Sequence, residues 1–289
     1  MSLAHGCTQS CRSQSRVSQC SLVGPGAARS IDRVVTDGRG PAPRLPEPFT
    51  LTTPDGVTLS ALRYGPVDAD IAVVFGHGFT GSQRNKKIVA LAGRLADHGL
   101  AVYTADFRGH GASGGLSTLG DQEIQDLETV LAVARSNHRK VVSAGASMGA
   151  FIALRHAGLG GTPDAVIAIS SPAVGRDPKL LRARLLRAAA QSPRGRRLLD
   201  LYGTRIGSIP DAVTPPIDLV AQIAPMPVAI IHGARDRYVP LADAYALYER
   251  LGEPRRLVVL REFGHGEAGF DPEFADRLTD LIGDLLDGH

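Results

Sequence analysis

The chain of 289 residues is 43% hydrophobic and 21% charged, an ordinary globular composition with enough apolar material for a sizeable core. Its formal net charge of +3 is too small to point to nucleic acid or a membrane surface. No run approaches the roughly 18 apolar residues of a membrane span, so stable membrane insertion is not expected. The three cysteines, Cys7, Cys11 and Cys20, crowd the N-terminus. An odd number without a fourth ligand or a His pair makes neither a closed disulfide framework nor a zinc site. No apolar signal core accompanies them, and a cytoplasmic location is the expectation.

Residues 1–46 are rich in Ser, Arg, Gly, Gln and Pro without apolar periodicity, and read as a disordered segment preceding a domain at 47–289. Residues 49–53 and 57–64 alternate apolar and polar around Pro54-Asp55-Gly56, which predicts a β-hairpin. Short apolar runs then follow at 71–75, 101–105, 140–144, 165–169, 227–231 and 256–260. Helical patterns separate them at 87–98, 121–136, 148–157 and 241–251. A last helix carries Phe274, Leu278, Leu281, Ile282 and Leu285 on one face. Apolar strands alternating with amphipathic helices predict an α/β fold: a mostly parallel, eight-stranded sheet with helices on both faces. One stretch, about 172–216, is helical and Arg-rich and interrupts the alternation.

Ligands of such sheets bind at the C-terminal ends of the strands, so the residues after each strand carry the functional argument. After 140–144 comes Gly145-Ala146-Ser147-Met148-Gly149, a G-x-S-x-G between a strand and a helix, with the small neighbours that a sharp turn needs. The turn places the Ser147 hydroxyl at a helix N-terminus, where developing negative charge is favoured. A serine hydroxyl needs a base. His265 follows the last strand within Gly264-His265-Gly266, and Asp236 follows the preceding strand within His232-Gly233-Ala234-Arg235-Asp236. Ser147, Asp236 and His265 are therefore the candidate triad, in the chain order Ser, Asp, His. His110 and His138 lie in less suitable loops, and His289 is terminal. After 71–75 comes Gly76-His77-Gly78-Phe79-Thr80-Gly81, whose glycines let backbone amides approach a ligand. The N–H groups of Phe79 and Met148 are assigned as the oxyanion hole, and the His77 side chain as a structural anchor of its loop.

Taken together, Gly76–Phe79, Asp106-Phe107-Arg108-Gly109-His110-Gly111-Ala112-Ser113, Gly145–Gly149, His232–Asp236 and Gly264-His265 resemble the α/β-hydrolase superfamily over about residues 48–287. The loop His77-Gly78-Phe79-Thr80-Gly81 is similar to that of small cinnamoyl and feruloyl esterases and acylglycerol-lipase-like enzymes. The resemblance implies that 106–113 is a structural loop near the pocket and that 172–216 is a small helical cap. A Ser nucleophile sets the chain apart from haloalkane dehalogenases and epoxide hydrolases, which use Asp. The HGGG loop of one esterase group, the H-E-x-x-H metal spacing and the phosphate-cradling P-loop are all absent. No cofactor and no metal are implied.

Within 176–202 the cap holds Arg176, Lys179, Arg182, Arg184, Arg187, Arg194, Arg196 and Arg197 against Asp177 and Asp200. A solvated helix face is the favoured expectation for such a run. A lid attracting anionic or membrane-associated esters is the alternative. The resulting expectation is a carboxylic-ester hydrolase acting on a small-molecule ester through an acyl-enzyme, with no nucleic-acid partner. A thioesterase or acyltransferase with the same triad, or a non-catalytic binding module, is the competing reading. The acyl group, the alcohol and the oligomeric state stay open.

Overall fold

The computed structural model describes residues 45–174, 180–210 and 213–288. The expectation of disorder for 1–46 falls almost wholly outside them, as do the cap residues Arg176, Asp177 and Lys179. Eight strands form one sheet: β1 (Glu47–Thr52), β2 (Thr58–Tyr64), β3 (Ile71–Gly76), β4 (Ala101–Ala105), β5 (Lys140–Ala146), β6 (Ala165–Ile169), β7 (Val228–Gly233) and β8 (Arg255–Leu260). Their spatial order is β1-β2-β4-β3-β5-β6-β7-β8. The β2 strand runs antiparallel to β1 and β4, and every pair from β4 to β8 is parallel. The hairpin turns where expected, with Gly56 N–H donating to Thr53 O and Thr53 N–H to Val57 O.

Strand side chains alternate between two cores, as the pleat requires. Val74, Val166, Ala168 and Ile230 face α2 (Glu123–Asn137), α3 (Met148–Gly158) and α7 (Leu241–Arg250). Val73, Phe75, Ile167 and Ile231 face α1 (Lys86–Asp97) and α8 (Pro272–Asp287). Coverage of both faces explains why the central strands read as continuous apolar runs. The terminal helix buries Phe274, Leu278, Ile282 and Leu285; Asp271 caps it by accepting from Phe274 N–H, and Pro272 occupies its first turn. The second helix starts later than its pattern suggested. Glu123 instead turns its buried carboxylate back on the preceding loop, accepting from Ser117 Oγ, Thr118 N–H and Oγ1, and Gly120 N–H.

Between β6 and β7 lie α4 (Leu181–Gln191), α5 (Pro193–Leu201) and the short α6 (Pro216–Leu219). Ser192 separates α4 from α5 and caps α5 by accepting from Gly195 N–H. Ala190 and Leu199 form a satellite core with Ile206, joined by Leu186, Phe79 and Leu119. The cap is thus an αα-hairpin resting on the loops that follow β3 and β4. Among the described residues no helix is long and apolar enough to cross a membrane.

Candidate active site

The six parallel strands β3 to β8 end on one side of the sheet, and the candidate residues leave from the ends of β3, β5, β7 and β8. Ser147 sits between β5 and α3 with φ 53° and ψ −112°, a conformation that L-residues rarely adopt. Its neighbours explain why the chain tolerates this. A Cβ at Gly145 would lie 2.4 Å from the Gly149 carbonyl carbon, and one at Gly149 would lie 2.2 Å from Gly76 O. Only small residues let α3 press against β3 and β5 closely enough to make the turn.

His265 follows β8 and faces the serine. Its Nε2 is 2.9 Å from Ser147 Oγ, and its Nδ1 is 2.7 Å from Asp236 Oδ2. The Tyr238 ring packs on the imidazole with centroids 4.8 Å apart. The Asp236 carboxylate is buried, and its Oδ1 accepts from Tyr238 N–H at 2.8 Å and Val239 N–H at 2.9 Å. Burial pushes its pKa up, but the hydrogen bond and charge of His265 and the two amides outweigh this and hold it below the usual aspartate value. The structure therefore brings Ser147, His265 and Asp236 into one hydrogen-bonded chain. His110 and His138 are buried and bonded elsewhere: His110 to the carbonyls of Arg108 and Phe79, His138 to Ala69 O and the Tyr103 hydroxyl.

Phe79 and Met148, whose amides are assigned to the oxyanion hole, line one cavity with the serine. Met148 opens α3, where an N–H has no intrahelical partner. No acceptor among the described residues takes the N–H of Phe79 or of Met148.

The family described as Hydrolase_4, serine aminopeptidase S33, matches residues 68–207. The uncharacterized protein YqkD of Bacillus subtilis is 29% identical over 225 residues, which cover 75% of this chain and 72% of the relative. The esterase Pf2001 of Pyrococcus furiosus shares the fold with a TM-score of 0.67 at 24% identity, over 84% of this chain and 91% of its own. The α/β hydrolase GrgF of Penicillium sp. sh18 does so with a TM-score of 0.64 at 21% identity, over 85% and 99%. The chain has the α/β-hydrolase fold.

Within this fold, a cavity of about 200 Å³ opens above the serine. Its wall is largely apolar and includes Phe79, Leu119, Met148, Phe151, Leu186 and Tyr238, with Arg187 of the cap and Asp243 as charged exceptions. Asp243 is buried and accepts from Ala173 N–H. The loop at 106–113 is the scaffold expected of it. Arg108 is buried between Asp126 and Asp55, and Asp106 accepts from Gln83 N–H and Ala112 N–H.

His77 is fully buried. Its Nδ1–H donates to Gly78 O at 2.7 Å while Nε2 accepts from Phe107 N–H at 3.1 Å, a pattern that fixes a neutral ring. Burial, helped by neighbouring His110, lowers its pKa to about 3. A histidine is ordinarily at about 6.5, so the unfolded chain binds this proton before the native one does. Stability contributed by the neutral ring is complete above about pH 6.5 and declines as pH falls toward 3, by about 3 kcal/mol at pH 4.5. The same sign holds for His156 and His232, which burial also shifts down. In thermal melts between pH 7.5 and 4.5, His77→Gln should start lower than wild type and fall less steeply. Parallel curves would refute the linkage.

Sequence reasoning missed Glu267. It lies in the 3₁₀ turn Gly266–Gly269, and its Oε1 accepts from Gly78 N–H at 3.0 Å. The carboxylate lies just behind the serine: a Cβ built on Gly78 would be 3.3 Å from that oxygen and 3.5 Å from Ser147 Cβ. The Gly78 C=O, held by His77, and the Phe79 N–H share one planar trans peptide and point in opposite directions. Bonds to Glu267, His77 and, through Phe79 O, His110 thus fix three successive peptide planes beside the serine.

Proposed function

We propose that the chain is a serine hydrolase that cleaves carboxylic esters through an acyl-enzyme. The observation that carries this reading is the unbroken Ser147–His265–Asp236 chain on the floor of an apolar cavity. Ser147 Oγ attacks the ester carbonyl as its proton passes to His265 Nε2. The resulting oxyanion accepts from the N–H groups of Phe79 and Met148, and the dipole of α3 favours the same charge. Asp236 holds Nδ1–H and stabilises the transient imidazolium. His265 then gives the proton to the departing alcohol. Water, deprotonated by the same nitrogen, attacks the acyl-enzyme and releases the acid. A pure binding module would need neither this hydrogen-bonded chain nor the strained turn that presents the serine.

The S33 description raises a second reading, an aminopeptidase. Anchoring a substrate ammonium needs an available carboxylate in the cavity. Beyond the triad the wall offers Asp243, already committed to Ala173 N–H and sharing the wall with Arg187. The apolar wall suits an acyl chain better. Assays with p-nitrophenyl esters of graded chain length, an acyl thioester and an amino-acid p-nitroanilide decide the matter. The expected result is ester hydrolysis at least tenfold faster, in kcat/KM, than turnover of the thioester or the anilide. Preferential anilide cleavage would replace the ester reading with the peptidase one.

Glu267 acts here as a positioning residue for the Phe79 amide. A donor misplaced by about 1 Å costs on the order of 100-fold. Glu267→Ala should therefore lower kcat about 10- to 100-fold with KM within about twofold, and Glu267→Gln, which keeps an acceptor oxygen, should retain most of the rate. Equal losses in the two variants would contradict positioning through the Gly78 bond.

A further inference from the structure

The outer surface of the cap is unlike the rest of the described surface. Of the twelve large apolar side chains exposed among the described residues, five lie within 181–202. Leu181 is 69% exposed, Leu185 62%, Leu198 53%, Leu201 84% and Tyr202 77%. Helical spacing groups them. Leu181, Leu185 and Ala188 form an i, i+4, i+7 stripe on α4, and Arg194, Leu198 and Leu201 form another on α5. The opposite faces of both helices are spent on the satellite core through Leu186, Ala190 and Leu199. Leucines left outside on both arms of one hairpin are therefore not spillover from its packing.

Charge says what covers them. Between residues 180 and 202 the cap carries Arg182, Arg184, Arg187, Arg194, Arg196 and Arg197 against the single acid Asp200. Arg184, Arg194 and Arg197 are exposed beside the leucines. A second copy docked patch to patch would set these cations against one another, which disfavours a self-complementary dimer. A surface that is apolar beneath and anionic above accepts both features at once: leucines enter it while arginines stay at the charged level.

We propose that the outer face of the α4–α5 hairpin docks on an anionic lipid surface. The same α4 lines the cavity with Ala183, Leu186, Arg187 and Ala190, so docked lipid and cavity are separated by one helix, about 10 Å across. Docking would bring lipid esters to the site. That consequence rests on the ester-hydrolase reading, whereas docking itself does not.

Vesicle flotation tests the proposal. Vesicles of phosphatidylcholine alone are compared with vesicles holding about one-third phosphatidylglycerol. Wild type and Ser147→Ala should float equally with the anionic vesicles and neither with the zwitterionic ones. Binding should weaken sharply between about 0.1 M and 1 M salt, as the screening length shortens from about 10 Å to about 3 Å. Reversing Arg184, Arg194 and Arg197 to Glu should lower the partition coefficient by at least about 100-fold. Changing Leu181, Leu201 and Tyr202 to Ser should weaken binding without altering its salt slope. Both triple variants should keep wild-type rates on a short soluble ester. Failure of wild type to float with anionic vesicles, equal flotation of both variants, or a dimer that dissociates on the Leu-to-Ser changes would overturn the proposal. Flotation reads no catalysis, so an inactive protein that still floats leaves docking intact and refutes only the ester reading.

Discussion

Replacing Ser147 with Ala should reduce kcat for ester hydrolysis by about 10⁴- to 10⁶-fold, because members of such a triad act as a unit and one loss costs nearly as much as several. The fold should hardly change. The turn at Ser147 is set by Gly145, Gly149 and the close approach of α3 to β3, none of which the substitution touches. Alanine meets the same φ of 53° with the same Cβ. The melting temperature should therefore stay within about 3 °C of wild type. A variant that keeps a tenth of the wild-type rate would remove Ser147 from the nucleophile's role, whatever the other residues do.

Replacing Asp236 with Asn should cost about 10⁴-fold in kcat, for a reason visible in the carboxylate's surroundings. Oδ1 is claimed by the N–H groups of Tyr238 and Val239, so the asparagine must place its carbonyl oxygen there. Its NH₂ then faces His265 Nδ1 and donates to it. The imidazole proton is driven to Nε2, where it points at Ser147 Oγ and blocks acceptance of the serine proton. The depressed pKa of Asp236 agrees in sign: the native site is built around the carboxylate, and it stays charged as pH falls through the ordinary aspartate range. An Asp236→Asn rate within tenfold of wild type would mean that another group orients His265.

The sheet was legible because residues such as Val73 and Val74, or Ile230 and Ile231, meet separate cores on opposite faces and so leave uninterrupted apolar runs. The triad was legible for a related reason. Each member stands within a few residues of a strand's end, in a glycine-marked turn: Gly145 and Gly149 around Ser147, Gly264 and Gly266 around His265, Gly233 before Asp236. Glu267 was not legible. Its partner is the backbone of Gly78, 189 residues away, and a backbone partner leaves no mark on the sequence. The nearest available signal was its position two residues after His265 in a turn too short to aim it elsewhere.

The cap was half legible. Leucine spacing predicted helices, and charge predicted a solvated face, but sequence could not say which leucines the hairpin buries. Leu186 and Leu199 go inward while Leu185 and Leu198, their immediate neighbours, go out. Nor could it separate the arginines. Arg187 reaches the cavity wall, Arg182 lies over the Tyr238 ring that packs on His265, and Arg184, Arg194 and Arg197 stay outside. A solvated face fits the last three alone. It leaves the exposed leucines beside them without a cause, and this is what favours a surface that docks.

The central claim is that Ser147 becomes covalently acylated by using His265 as its base. The most direct measurement is reaction of the intact chain with a fluorophosphonate, read by whole-protein mass and by mapping the modified peptide. The account predicts one adduct per chain, located on Ser147, absent from Ser147→Ala and formed at least about 100-fold more slowly in His265→Ala. An unmodified wild-type chain, or an adduct on another residue with Ser147 intact, would contradict it.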